Sequence, residues 1–247
     1  MQVQGTLQLP GDKSISHRAI MLSAIADGVS YVRNLNDGAD LQSTISILRD
    51  CGALIEQNED KIIINGKELY SPSKELDCGN SGTTTRLIAG LLSSQKLSFT
   101  LIGDESLSKR PMNRIITPLT AMGCKISSNN GLLPLSIDAS DGISAIDFDM
   151  KVASAQVKSS ILFSALGGNN VSSVNETIPT RNHSEIMLKN MGASIEREGD
   201  KIIVHPLKSK LKSIDISVPS DPSSAAFFAA LAVINNNSNL KLTNVLL

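Results

Sequence analysis

The sequence predicts an α/β fold made of repeated units, each running helix, strand, helix, strand, strand. Two landmarks recurring with one period predict it. The first is a helix ended by glycine and followed by a strand. It occurs at Leu48-Arg49-Asp50-Cys51-Gly52-Ala53-Leu54-Ile55, Leu119-Thr120-Ala121-Met122-Gly123-Cys124-Lys125-Ile126 and Leu188-Lys189-Asn190-Met191-Gly192-Ala193-Ser194-Ile195. Gly52, Gly123 and Gly192 are 71 and 69 residues apart, and glycine suits the place because it adopts the left-handed conformation that closes a helix. The second landmark is a helix start at a small polar residue: Ser14, Ser81, Ser154 and Ser223 are spaced by 67, 73 and 69 residues. Composition agrees. The 247 residues are 41% hydrophobic and 19% charged, ordinary for a globular chain able to bury a core.

Residues 1–11 read as one strand closed by a Pro10-Gly11 turn. The first unit opens after Lys13-Ser14, with Ile15, Ala19, Leu22 and Ala26 on one face and Ile20, Met21 and Ile25 on others. Its hairpin turns at Asn58-Glu59-Asp60. The second unit opens after Asn80-Ser81-Gly82 and carries Leu87, Ile88, Leu91 and Leu92. Pro111 begins its second helix, and its hairpin turns at Asn129-Asn130-Gly131. The third opens at Ser154-Ala155-Gln156, carries Ile161, Leu162 and Leu166, and turns at Glu198-Gly199-Asp200. A fourth opens at Asp221-Pro222-Ser223-Ser224, where Asp221 reads as a cap, and contributes one helix and part of a strand. Helices apolar all round are buried, so the first helix of each unit is predicted as core. The more amphipathic second helices face water and the hairpins form outer sheets. Three complete units span roughly residues 12–218, and the tail from Ile216 to Leu247 is expected to lack sheet partners.

Several functional classes are disfavoured. Lys plus Arg number 23 against 24 Asp plus Glu, and aromatics make up 3%, a poor basis for nucleic-acid binding. Cys51, Cys78 and Cys124 lack a framework spacing and read as the reduced thiols of a cytoplasmic protein. No signal peptide and no membrane-length apolar run is visible. His17, His183 and His205 have no metal spacing and no Cys-x-x-Cys occurs, so neither a metal nor another cofactor is expected. His17 reads as a hydrogen-bonding structural residue. Gly11-Asp12-Lys13-Ser14 is not a P-loop, because Thr6 stands where the earlier glycine belongs.

Chemistry concentrates at the helix starts. Free backbone N–H groups and the helix dipole favour phosphate or carboxylate there. Each start also has a cation four residues on: Ser14 with Arg18, Gly82 with Arg86, and Ser154 with Lys158. Read alone, Ser14 is a capping residue. Arg110, beside Pro111, offers a planar fork for carboxylate or phosphate, though a surface salt bridge is the plain alternative. Together these starts predict a rim for a multiply anionic small ligand.

Six segments resemble the EPSP synthase family: Leu9-Pro10-Gly11-Asp12-Lys13-Ser14-Ile15-Ser16-His17-Arg18, Gly79-Asn80-Ser81-Gly82-Thr83-Thr84-Thr85-Arg86, Lys109-Arg110-Pro111-Met112, Ser154-Ala155-Gln156-Val157-Lys158-Ser159, Arg181-Asn182-His183-Ser184-Glu185 and Asp221-Pro222-Ser223-Ser224-Ala225-Ala226-Phe227-Phe228. They cover essentially the whole chain in family order. The resemblance implies an enolpyruvyl transferase-like inside-out α/β barrel domain of three βαβαββ-type units over residues 12–218. Residues 1–11 and 219–247 would then belong to a second, similar domain. It implies a largely monomeric cytoplasmic enzyme that needs no cofactor. The implied reaction moves the enolpyruvyl group of phosphoenolpyruvate to the 5-hydroxyl of shikimate 3-phosphate by addition and elimination, releasing phosphate. By similarity, Lys13, Ser14, Arg18, Ser154, Gln156, Thr180 and Arg181 contact shikimate 3-phosphate. Lys13, Asn80, Gly82, Arg110 and Gln156 contact phosphoenolpyruvate, with Gly82 admitting the ligand close to the backbone. Lys13 would also act as acid or base and stabilise charge. Ala155 departs from members with a second serine there. The family's catalytic aspartate, a later lysine–glutamate pair and further arginines correspond to positions past Leu247, so the isolated chain is expected to be inactive. The alternatives are a UDP-N-acetylglucosamine enolpyruvyl transferase, which lacks the Lys-Ser-x-Ser-x-Arg pattern, or a non-catalytic anion-binding fragment.

Overall fold

The computed structural model describes residues 2–58 and 61–246. β1 (Gln4–Gln8) precedes a first unit of α1 (Lys13–Ala24), β2 (Ala26–Arg33), α2 (Ala39–Asp50), β3 (Leu54–Gln57) and β4 (Lys61–Gly66). After β5 (Leu76–Asp77) comes a second unit of α3 (Gly82–Ser94), β6 (Ser98–Ile102), the one-turn α4 (Glu105–Ser108), α5 (Asn113–Ala121), β7 (Lys125–Asn129) and β8 (Leu132–Asp138). β9 (Asp147–Asp149) leads to a third unit of α6 (Ala155–Ala165), β10 (Ser172–Asn175), α7 (His183–Asn190), β11 (Ile195–Glu198) and β12 (Lys201–Val204). The chain continues through β13 (Leu211–Lys212), β14 (Asp215–Ser217), α8 (Pro222–Val233) and β15 (Asn239–Thr243).

The repeat is visible in the backbone. Gly52, Gly123 and Gly192 follow the ends of α2, α5 and α7 with φ of 95°, 98° and 89°, a conformation in which a side chain would be strained. Asn130 and Gly131 both take positive φ between β7 and β8, as a two-residue hairpin turn demands. Glu59 and Asp60 of the first predicted hairpin turn, and Leu247 of the tail, lie outside the described residues. Pro111 does not begin a helix. Met112 is the N-cap residue of α5, and the short α4 precedes it.

The first helices form the core. Ile15 to Ala24 of α1, Leu87 to Ser94 of α3 and Val157 to Ala165 of α6 are buried without interruption. α3 and α6 approach so closely that a Cβ on Gly90 would lie 2.1 Å from the Ser160 carbonyl oxygen. The outer helices bury one side only, with Leu41, Ile45 and Leu48 on α2, Ile115 and Leu119 on α5, and Met187 and Leu188 on α7.

The sheets close this assembly in a ring, through pairings that no local sequence pattern marks. β5 follows the first unit but pairs parallel with β6 of the second. β9 follows the second unit and pairs with β10 of the third. β13 and β14 follow the third and pair with β2 of the first. The tail is therefore partnered, contrary to expectation: Ile216 lies opposite Val32, and β15 runs parallel to β1 with Leu242 opposite Leu7. Two connecting segments cross side by side at the ring's edge, bridged at Gly11 and Ser220. Asp12 N–H donates to the Pro219 carbonyl at 2.7 Å and Asp221 N–H to that of Pro10 at 3.1 Å. Beyond this crossing α8, apolar all round, leaves Phe227 78% and Val233 85% exposed. Among the described residues, no helix is long and apolar enough to cross a membrane.

Candidate active site

Capping decides what each helix start presents. Asp12, not Ser14, caps α1, its carboxylate accepting from Ile15 N–H at 2.8 Å. Ser14 therefore lies inside the helix with its hydroxyl uncommitted to a cap. Ser81 and Ser154 cap α3 and α6 through Thr84 N–H and Val157 N–H. Asp221 caps α8 by accepting from Ser223 N–H at 2.7 Å, as its sequence context predicts.

A cavity of about 360 Å³ opens where α1 and α6 begin. Ser14, Arg18, Ser154, Gln156, Thr180 and Arg181 line it, together with Ala155, Thr83 and His183. Arg18 is only 2% exposed. Its Nε donates to Ser184 Oγ at 2.7 Å, Nη1 to the Ser14 carbonyl at 2.8 Å and Nη2 to Ser159 Oγ at 2.7 Å. Burial pushes its pKa down to about 10, partly offset by Glu185. It remains a cation at neutral pH, with donors to spare among its five N–H groups. Arg181 reaches Ser223 Oγ at 3.4 Å, linking the cavity wall to the start of α8.

A second cationic spot adjoins the first. Arg110 Nη2 donates to Asn80 Oδ1 at 2.5 Å and Nη1 to the Asn80 carbonyl at 3.3 Å. Asn80 in turn donates to Asp104 at 2.6 Å. That bond, with the Leu107 N–H that Asp104 also accepts, holds the Asp104 carboxyl below its usual range. A Cβ on Gly82 would lie 2.6 Å from Arg86 Nη1 and 3.7 Å from Arg110 Nη1, so the missing side chain keeps space between two guanidinium groups. Burial, then repulsion from Arg110 and Arg114, lowers the pKa of Arg86. Such a cluster favours an arriving anion. Gln156 joins the two spots: its Oε1 accepts from Arg86 Nη1 at 3.0 Å and its Nε2 donates to Thr83 Oγ1 at 2.9 Å.

Two predicted cations behave differently. Lys13 stands outside the cavity lining, its half-exposed ammonium paired with Asp40 on α2 at 3.0 Å. Lys158 does not reach the rim at all. It is wholly buried, paired with Glu176 at 2.9 Å and Glu185 at 2.7 Å. The four-residue spacing that predicted its direction says nothing about acidic partners arriving from the loop after β10 and from α7. Arg86 was visible as a helix-start cation but not as a partner of Gln156. Thr83 and His183 reach the cavity through packing that no local signal announces. Among the described residues, no cluster of three or more His, Cys, Asp and Glu side chains is placed to hold a metal.

His17 sits beneath the site in a hydroxyl chain, consistent with its structural reading. Its Nδ1 lies 2.8 Å from Thr44 Oγ1, which lies 2.8 Å from Thr84 Oγ1. Burial drives its pKa down to about 3. Between about pH 6.5 and 3 the unfolded chain thus binds a proton that the folded chain refuses, so stability falls as pH falls. This residue alone should remove about 2 kcal/mol between pH 7 and pH 5. Urea unfolding at both pH values should show that drop in the wild type and a correspondingly smaller one in His17→Asn.

The family described as EPSP synthase (3-phosphoshikimate 1-carboxyvinyltransferase) matches residues 1–247. The chain is 46% identical over 246 residues to the 3-phosphoshikimate 1-carboxyvinyltransferase of Ruthia magnifica subsp. Calyptogena magnifica, covering 98% of this chain and 56% of that relative. It is 42% identical to the same-named protein of Thermoanaerobacter sp. (strain X514), covering 98% of this chain and 58% of that one. A solved structure of EPSP synthase from Acinetobacter baumannii superposes with a TM-score of 0.91 at 42% identity, over 99% of this chain and 56% of that one. The chain thus spans a little over half the length of the relatives it matches.

Proposed function

The chain belongs to the EPSP synthase (3-phosphoshikimate 1-carboxyvinyltransferase) family, and from that premise we propose that it supplies one wall of a site transferring the enolpyruvyl group of phosphoenolpyruvate to shikimate 3-phosphate. Ser14, Arg18, Ser154, Gln156, Thr180 and Arg181 take shikimate 3-phosphate in the cavity. Asn80, Gly82, Arg86 and Arg110 take phosphoenolpyruvate, with Gln156 between the two ligands. Lys13 leaves Asp40 to meet both substrates and to act as acid or base. In the reaction the 5-hydroxyl gives up its proton to a base as its oxygen bonds to the enol carbon, while the methylene carbon gains a proton from an acid. Phosphate then leaves with its bridging oxygen as a proton departs from the new methyl group. The fixed guanidinium groups stabilise the charge that develops. Residues 12–218 are read as one domain, and residues 1–11 with 219–247 as parts of a second, within a monomeric cytoplasmic enzyme.

One observation supports this reading above the others: two cationic spots of different make-up share a single glutamine. Calorimetric titration tests it. The chain should bind shikimate 3-phosphate, and UDP-N-acetylglucosamine should give no signal. Arg110→Ala should weaken phosphoenolpyruvate binding, measured with shikimate 3-phosphate present, by about tenfold or more while leaving shikimate 3-phosphate binding within about twofold. Equal loss of both ligands would remove the assignment of Arg110. A phosphate-release assay on this 247-residue chain should show no turnover.

A further inference from the structure

The wall of the cavity that carries Thr180 and Arg181 is loop, with no helix or strand of its own. What holds it is a buried carboxylate. Glu176, at 0% exposure, accepts from the Thr180 N–H at 2.9 Å and from the Thr180 hydroxyl through the same oxygen, Oε1. Its other oxygen accepts from Lys158 at 3.1 Å and from Arg197 at 3.1 Å. Lys158 also neutralises Glu185, which adds to the field at Arg18. Two cations and two carboxylates therefore sit together behind the cavity with no net charge. Glu176 holds the loop, and the balanced cluster does not repel an anion on its far side.

We propose that Glu176 is a positioning residue: anchored by buried Lys158, it fixes Thr180, and through Thr180 the loop wall, at the distance an anion in the cavity requires. This rests on the reading of the cavity as an anion site. Glu176 touches no ligand in this scheme and acts only through Thr180. Glu176→Gln keeps the side chain's shape and leaves Lys158 paired with Glu185, so it does not strand a buried cation.

The test is a double-mutant cycle on the whole chain, read by titration with shikimate 3-phosphate and separately with inorganic phosphate. Glu176→Gln and Thr180→Val should each weaken binding by about tenfold. The double variant should lose less than the product of the two single losses, because both changes break the bond between the Thr180 hydroxyl and Glu176. Arg197→Lys, which keeps the charge balance and leaves the Thr180 link intact, should bind within about twofold of wild type. Additive losses in the cycle, or wild-type affinity in Glu176→Gln, would overturn the proposal. If Glu176→Gln gives no cooperative melt, Glu176→Asp replaces it. Aspartate keeps the charge but is too short to reach Thr180, and the same outcomes apply. Failure of shikimate 3-phosphate alone to bind wild type would remove the substrate reading and leave the cycle to be read with phosphate. Failure of both ligands would remove both.

Discussion

Arg18→Met should lose anion binding a hundredfold or more, about 3 kcal/mol, while the chain still folds. The two effects separate because of how Arg18 is held. Its partners include the hydroxyls of Ser184 and Ser159, which already lie 2.7 Å from each other. With the guanidinium gone, those hydroxyls keep one another, and only the Ser14 carbonyl loses a donor outside its helix. Methionine fills much of the space and carries no desolvation cost. The fold should therefore lose only about 1 kcal/mol. Ligand binding has no such substitute, because among the described residues the other arginine lining the cavity, Arg181, is exposed. Titration with shikimate 3-phosphate and urea unfolding of the same sample would check both halves. A variant that binds normally would show that the cavity is not the anion site.

Lys158→Met should have the opposite profile, a large loss of stability. Lys158 is the buried countercharge of two carboxylates, Glu176 and Glu185. Removing one partner of a buried ion pair costs about 3–5 kcal/mol, because the charge left behind cannot reach water. Arg197 still contacts Glu176 but stands partly in solvent, and Glu185 gains nothing from it. In wild type, burial tends to raise the pKa of Glu176, but bonds from Thr180, Lys158 and Arg197 outweigh it and hold the group below its ordinary value. It therefore adds stability above the unfolded carboxyl pKa, and that contribution is lost as pH falls. In the variant the sign reverses. Without the Lys158 bond, burial and repulsion from Glu185 raise the Glu176 pKa, so the folded state gains a proton on acidification and recovers. The difference between variant and wild type should be greatest at pH 7 and smaller at pH 5 in urea unfolding. A variant as stable as wild type at pH 7 would show that the four-charge cluster carries no weight.

The legible part of this protein was the part governed by short-range physics. The glycines at 52, 123 and 192 close helices because a left-handed residue is needed there, and that need is local. The unbroken apolar character of α1, α3 and α6 predicts burial without any knowledge of neighbours. The short strands β5, β9, β13 and β14 were not legible. Segments of two or three residues carry no periodicity, and their pairing with the next unit is a long-range event. Ser14 and Asp12 were equally able to cap α1 by residue type, and the backbone chose the aspartate. Lys13 and Lys158 show the same limit in electrostatics. Both are cations at helix starts, but Asp40 turns one aside and Glu176 with Glu185 bury the other.

The sequence alone determined the repeat, its period, the core helices and the small polar and basic residues set at the helix starts. Those follow from backbone conformation and hydrophobic pattern, which act over a few residues. Tertiary structure decided which cations reach the cavity, how the sheets close into a ring, and what holds the Thr180 wall. Each of those depends on charges and strands brought together across more than a unit of chain, where spacing along the sequence no longer measures distance in space.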